Sequence, residues 1–157
     1  MENNSTVKTM PAVALRGTSI LPGMIVHFDI SRKVSSASID RAMLLDEKIF
    51  LITQRDPHVE NPEIDDLWNV GTISRIKQVV RLPKNMIRVL VEGETRAEIL
   101  SFEKVEDYSE AVINIPAEEP QEMYPESLRE AMMRNIRQLL RGYMEENNNI
   151  SRDLASQ

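Results

Sequence analysis

Asp56, Glu60, Glu63, Asp65 and Asp66 crowd five carboxylates into a stretch interrupted by Pro57 and Pro62. Carboxylates this dense are what a divalent cation would need, but cation loops space them in a pattern such as D-x-D-x-D-G, which is absent. Residues 55–69 therefore read as an exposed, solvated loop, with Leu67 and Trp68 anchoring a short helical turn to the core. A second concentration of charge has the opposite sign. Between Val70 and Val91 the charged residues are Arg75, Lys77, Arg81, Lys84 and Arg88, without a single carboxylate. Such a hairpin could grip RNA phosphates, yet single-strand binders add aromatic stacking platforms and this segment has none. Lys and Arg that solvate a sheet's outer face and blunt its edges are the better account.

Groups that would carry a reaction are scarce. The chain has no cysteine and two isolated histidines, so thiol nucleophiles, disulfides and Cys- or His-rich zinc sites are excluded. His27 falls on the polar side of an alternating strand. No phosphate-cradling G-x-x-x-x-G-K-[ST], G-x-G-x-x-G, G-x-S-x-G or H-E-x-x-H motif is present, and five glycines leave little material for a phosphate loop. A Ser-Lys or carboxylate pair assembled only in space would leave no such signature. The residues point to a non-enzymatic chain with no catalytic, cofactor or metal site of its own.

A chain of 157 residues and net charge -6 suits one ordinary domain with a helical appendage, and disfavours bulk attraction to nucleic acid or anionic membrane. The N-terminus MENNSTVKTM lacks the apolar core of a signal peptide, and no run of about 18 apolar residues follows. Together with the missing cysteines, this predicts a reducing, cytoplasmic location.

The elements that must position any site alternate in grammar. Ala12 to Leu15 opens the pattern, closed by Gly17 and the turn-prone ILPGM. Ile25 to Ile30 alternates, Val26, Phe28 and Ile30 against His27 and Asp29, as a half-buried strand does. Serines 35, 36 and 38 offer N-caps to a helix carrying Ile39, Ala42 and Met43 and ending near Asp46. The unbroken apolar run Ile49 to Ile52 suits a strand covered on both faces. Val70 to Leu82 mimics helical spacing at Ile73, Ile76, Val79 and Val80, but its β-branched content predicts a strand with a bulge. Pro83 to Met86 then supplies a four-residue hairpin loop, Ile87 to Val91 a returning strand, and Gly93 a break before a third strand at Ala97 and Ile99. Arg81, Arg88 and Arg96 are expected to pair with Glu92, Glu94 and Glu98 across the strands. Tyr108 to Ile115 reads as a final strand, and AEEPQEM as an acidic linker.

Beyond that linker the period becomes helical. Pro125 and Glu126 open a helix of about five turns whose Leu128, Met132, Ile136, Leu139, Leu140 and Tyr143 form one apolar stripe. Gly142 and residues 147–149 end it, and Ser151 caps a further helix that barely begins. That suggests a fragment of a longer chain, with a frayed tail as the alternative.

The succession PAVALRG, ILPGM, KIFLITQRD and DLWNVGTISRIKQVVRLPKNMIRVLVEGETRAEI closely resembles the N-terminal domain of the bacterial Lon family of ATP-dependent proteases. The resemblance implies an α+β fold: a PUA-like twisted β-sheet or open barrel with a short helix over residues 1–117, then the start of a truncated helical bundle over 118–157. It further implies a substrate-recognition and assembly-supporting domain for unfolded or damaged protein clients. In that family the domain precedes an AAA+ ATPase and a Ser-Lys protease domain within a homohexamer, so ATP and magnesium belong to the parent protein. The alternatives are a stand-alone Lon-like substrate domain, or a stand-alone PUA-like RNA-binding module.

For clients, a receptor of many sequences benefits from adaptable apolar surface, and methionine, with nine copies, supplies the most adaptable side chain. Met43 and Met132 read as core filling. Leu21, Pro22, Met24 and Ile25 crowd apolar groups, with Ile20, around a turn, and Met86 sits at the hairpin tip. These five are the client-binding candidates.

Overall fold

The computed structural model describes residues 5–117 and 124–146. The chain divides into two compact units, residues 1–117 and 118–157. The first holds β1 (Thr6–Leu15), β2 (Ile25–Ile30), α1 (Lys33–Met43), β3 (Lys48–Thr53), a 3₁₀ turn (Ile64–Asp66), β4 (Val70–Leu82), β5 (Met86–Val105) and β6 (Tyr108–Ile115), and the second holds α2 (Glu126–Glu146). Strands and helices are segregated, which is the α+β class.

The strand order is β2-β5-β4-β3-β1-β6, and β5 also pairs with β6. Five strands thus close into a ring, leaving β2 as an added edge strand. Among the described residues β1 and β3 run parallel and the other strand pairs are antiparallel. Closure depends on the length of β5. Its first half pairs with β2 from Ile87 to Glu92, and its second half pairs with β6 from Glu98 to Val105. Gly93 therefore lies inside one 20-residue strand rather than between two.

Two apolar clusters explain the strand patterns. Ile49 and Leu51 enter one, with Ile39, Ala42, Val89 and Val91. Phe50 and Ile52 enter the other, with Met10, Ala12, Ile73 and Ile113. β3 is thus covered on both faces, the reason its run is unbroken. In β4, register shifts fall between Ile73 and Ser74 and between Ile76 and Gln78. The second carries Ile76 and Val79, three positions apart, into the same cluster, so a strand imitates helical spacing.

Several boundaries differ from the sequence reading. β1 begins at Thr6 because its first half is held by β6, from Thr6↔Ile115 to Pro11↔Glu110, a partner that local pattern cannot reveal. The hairpin closes at Leu82↔Met86, so its loop has three residues rather than four, with Lys84 and Asn85 at φ 63° and 58°. α1 is capped by Arg32 with no side-chain hydrogen bond, and Ser35 and Ser38 are buried inside the helix. Ser38 Oγ donates to the Val34 carbonyl at 3.0 Å and accepts the Ser109 N–H at 3.0 Å, tying α1 to β6. Met43 and Met132 are not core filling, being 41% and 51% exposed. No described helix is long and apolar enough to cross a membrane.

α2 runs through Gly142 to Glu146, and Leu128, Met132, Ile136 and Leu139 of its stripe are exposed. Leu139→Ala should accordingly shift the unfolding free energy of this chain by less than about 0.5 kcal/mol, since truncation at a 68% exposed site removes little buried surface. A loss of about 2 kcal/mol or more in urea titration would show that the stripe is covered in solution. The linker, apart from Pro116 and Ala117, and the helix expected at Ser151 lie outside the described residues.

Candidate client-binding site

The turn at ILPGM is fastened at several points. Ile20 is buried, and its carbonyl accepts the Thr72 hydroxyl at 2.6 Å. Thr53 donates its hydroxyl to the Thr18 carbonyl at 2.7 Å and meets Ser19 Oγ at 2.8 Å. The turn closes by Met24 N–H to the Leu21 carbonyl at 3.1 Å, while Leu21 N–H points to Met24 Sδ at 3.4 Å. Gly23, at φ 82°, takes a left-handed conformation that a side chain would strain. Its N–H donates to the Gly93 carbonyl at 2.8 Å, and Gly93 N–H returns to the Met24 carbonyl at 2.9 Å.

With its backbone thus satisfied, the turn offers side chains outward. Leu21 is 48% exposed, Met24 38% and Ile25 66%, and Pro22 is exposed beside them. The arrangement is a small, preorganised apolar surface, which loses little conformational entropy when a partner covers it. Met86 is not part of it. Ile25 pairs with Glu92, six positions along β5 from Met86, or about 20 Å of strand. Met86 is half-buried in the ladder.

Charge around the turn is locked into ion pairs that differ from the expected ones. Lys77 bonds Glu92 at 2.5 Å, and Glu94 is held by Lys48 at 2.7 Å and Arg75 at 3.0 Å. Hydrogen bonding from Lys48 foremost, opposed by burial and helped by Arg75, keeps the Glu94 carboxyl below its ordinary range. Arg88 grips Asp29 through two bonds of 2.7 and 2.8 Å, which lowers the Asp29 carboxyl in the same way. Arg81 reaches Asp40 on α1 at 3.4 Å. The two bulges in β4 and the packing of α1 chose these partners, so Arg81 and Arg88 do not pair with Glu92 or Glu94. The basic stripe proposed for RNA is consequently broken up by carboxylates.

In the acidic loop, Leu67 is fully buried but Trp68 is 53% exposed, with the Arg55 guanidinium 5.1 Å above its ring. Trp68 is thus surface, not anchor, because Arg55 is fixed alongside by its bond to the Leu67 carbonyl at 2.7 Å. Among the described residues no group of three or more His, Asp or Glu is placed to hold a metal ion. The residues that sequence reasoning missed are Arg16 and Arg32, which line one cleft with Ala12, Ala14 and Phe102. No spacing rule connects them.

Comparison with known proteins places these features in context. The family described as the ATP-dependent protease La (LON) substrate-binding domain matches residues 9–157. A Lon protease of Lachnoclostridium phytofermentans is 43% identical over 150 residues, 96% of this chain and 18% of that protein. A Lon protease of Clostridium acetobutylicum is 39% identical over 150 residues, 96% of this chain and 19% of that protein. The chain thus spans about a fifth of the length of these relatives. Among solved structures, the N-terminal domain of the Mycobacterium avium complex Lon protease superposes with a TM-score of 0.62 at 22% identity, covering 90% of this chain and 70% of that one. The Lon N-terminal domain protein of Xanthomonas campestris gives 0.56 at 13% identity, covering 76% and 66%. Both likenesses concern the fold.

Proposed function

The chain belongs to the substrate-binding domain family of ATP-dependent protease La (Lon), and from that premise we propose that it recruits unfolded or damaged polypeptide through the clamped apolar turn of Leu21, Pro22, Met24 and Ile25. The observation that carries this reading is the combination of a fastened backbone with outward apolar side chains. Unfolded clients expose apolar residues in no fixed order, and a rigid apolar platform binds them weakly and with little sequence demand. In the parent protein, several copies in a ring would raise the effective concentration of such weak contacts. Met86, at the far end of β5, would be a separate contact on the same client.

In the same reading, residues 1–117 are the recognition unit and residues 118–157 open a helical subdomain. The chain is non-catalytic by itself and acts for AAA+ ATPase and Ser-Lys protease domains of a cytoplasmic, hexameric parent that uses ATP and magnesium. Nucleic acid is not its partner, since Arg75, Lys77, Arg81 and Arg88 already face carboxylates.

Met24→Glu tests the site. A carboxylate can still accept the Leu21 N–H, so the turn and the melting temperature should be kept. Affinity for a fluorescently labelled, permanently unfolded protein should fall about tenfold, because a charge must be desolvated on contact. Unchanged affinity at an unchanged melting temperature removes Met24 from the surface.

A further inference from the structure

β2 is hydrogen-bonded on one side only. Along its other edge runs a hollow of about 310 Å³, bordered by every residue from Val26 to Arg32 in turn, both faces of the strand included. At the far end of β2 this hollow meets a cleft of about 870 Å³, since Ala14, Arg16, Arg32 and Ser35 line both. A groove therefore leads from Val26, the residue that follows the apolar turn at Leu21–Ile25, along β2 to two arginines. It is about 20 Å long and takes an extended segment of about six residues.

The two arginines are not used up in ion pairs. Lys8, Lys48, Arg75, Lys77, Arg81 and Arg88 each form an ion pair, whereas neither Arg16 nor Arg32 does among the described residues. Both hydrogen bonds of Arg32 leave from Nη2, to Gln54 Oε1 at 2.6 Å and the Val59 carbonyl at 3.3 Å, so a neutral pair of acceptors fixes the guanidinium and leaves its remaining donors for another group. Burial foremost, then the nearby charge of Arg16, lowers the Arg32 pKa against the pull of Glu60. The partly desolvated Arg32, with the exposed Arg16 beside it, is stabilised by an anion.

The surroundings narrow which anion. Ala12, Ala14 and Phe102 give the cleft an apolar floor, and Glu60, Glu63 and Glu103 stand around it together with Lys33 and Lys104. Three carboxylates interspersed with four cations leave a nearly balanced rim, which suits a single negative group joined to an apolar body better than a polyanion such as RNA or polyphosphate. We propose that Arg16 and Arg32 bind the free C-terminal carboxylate of an extended client polypeptide lying along the open edge of β2, its last apolar side chain on the floor of the cleft. This rests on the recruitment reading and gives it a substrate class: chains ending in apolar residues with an exposed C-terminus.

The test uses the full chain and a fluorescein-labelled peptide Gly-Ser-Gly-Ser-Val-Leu, prepared as the free carboxylate and as the C-terminal amide, followed by anisotropy. The carboxylate should bind at least about tenfold more tightly than the amide. Arg16→Gln, at an exposed side chain with no hydrogen bond to lose among the described residues, should bring the two within about twofold at an unchanged melting temperature. Equal affinities for wild type, a preference that survives Arg16→Gln, or displacement of the peptide by equimolar inorganic phosphate would each overturn the proposal. Binding of labelled unfolded protein is measured in parallel. If it persists while the carboxylate preference is absent, only this inference falls; if wild type binds neither probe, the recruitment reading falls with it.

Discussion

Phe50→Ala should cost about 3–5 kcal/mol of unfolding free energy, at the upper end of that range. Phe50 is fully buried in β3, between Ala12 on β1 and Ile73 on β4. The size of the loss follows from its neighbours. Ala12, Ala14, Ala97 and Ala111 share its cluster, and a Cβ built on Gly71 would lie 2.5 Å from the Phe50 ring. Small residues supply much of the space around the ring, and they have no side chain with which to fill a void, so the cavity stays largely open and most of the cavity cost remains. Urea denaturation followed by far-UV circular dichroism measures it. A change below about 1.5 kcal/mol would mean that the barrel collapses around the missing ring, contrary to this packing.

Gly93→Ala should destabilise by about 3 kcal/mol and weaken client binding together. Gly93 has no left-handed backbone, so strain in φ is not the cause. Its added Cβ would run into the Leu21 carbonyl oxygen, a backbone atom that cannot rotate away, with the Leu21 carbonyl carbon at 3.0 Å behind it. The turn would have to lift from β5 and give up the bonds from Gly23 N–H and to the Met24 carbonyl. Leu21 and Met24 would lose their fixed placement. Equilibrium unfolding and unfolded-protein titration of the same variant check both halves. Full stability would show that the turn is not clamped, and lost stability with undiminished affinity in the folded variant would show that clamping is irrelevant to recruitment.

What the sequence determined by itself is local. The alternation of β2, the doubly covered run of β3, the β-branched strand ending in a hairpin and the amphipathic α2 are written in residues next to one another, where side-chain period and turn chemistry suffice. Gly93 reads locally as a break between strands, whereas its place inside β5 against the Leu21 carbonyl could not be read. The apolar character of Leu21 to Ile25 could be read directly, but whether it faced solvent could not. Tertiary structure decided that, by fastening the turn through Thr53, Thr72 and Gly93.

The same division holds elsewhere. Serines before an apolar stripe look like caps, yet Ser38 serves the β6 backbone of Ser109, which lies 71 residues away. Glu94 lies in the same strand as Arg88 and Arg96, but bulges in β4 deliver it to Lys48 and Arg75. Trp68, the lone tryptophan, looks like core until Leu67 takes that position and turns it outward. Arg16 and Arg32 are separated by a turn and an edge strand, and only the return of β2 along β5 sets them in one groove. Each of these outcomes is a long-range choice among chemically equivalent partners. Local pattern fixes which faces are apolar and where chains turn; which surfaces then meet depends on closing loops of tens of residues, an entropy cost that only the sum of core contacts can offset.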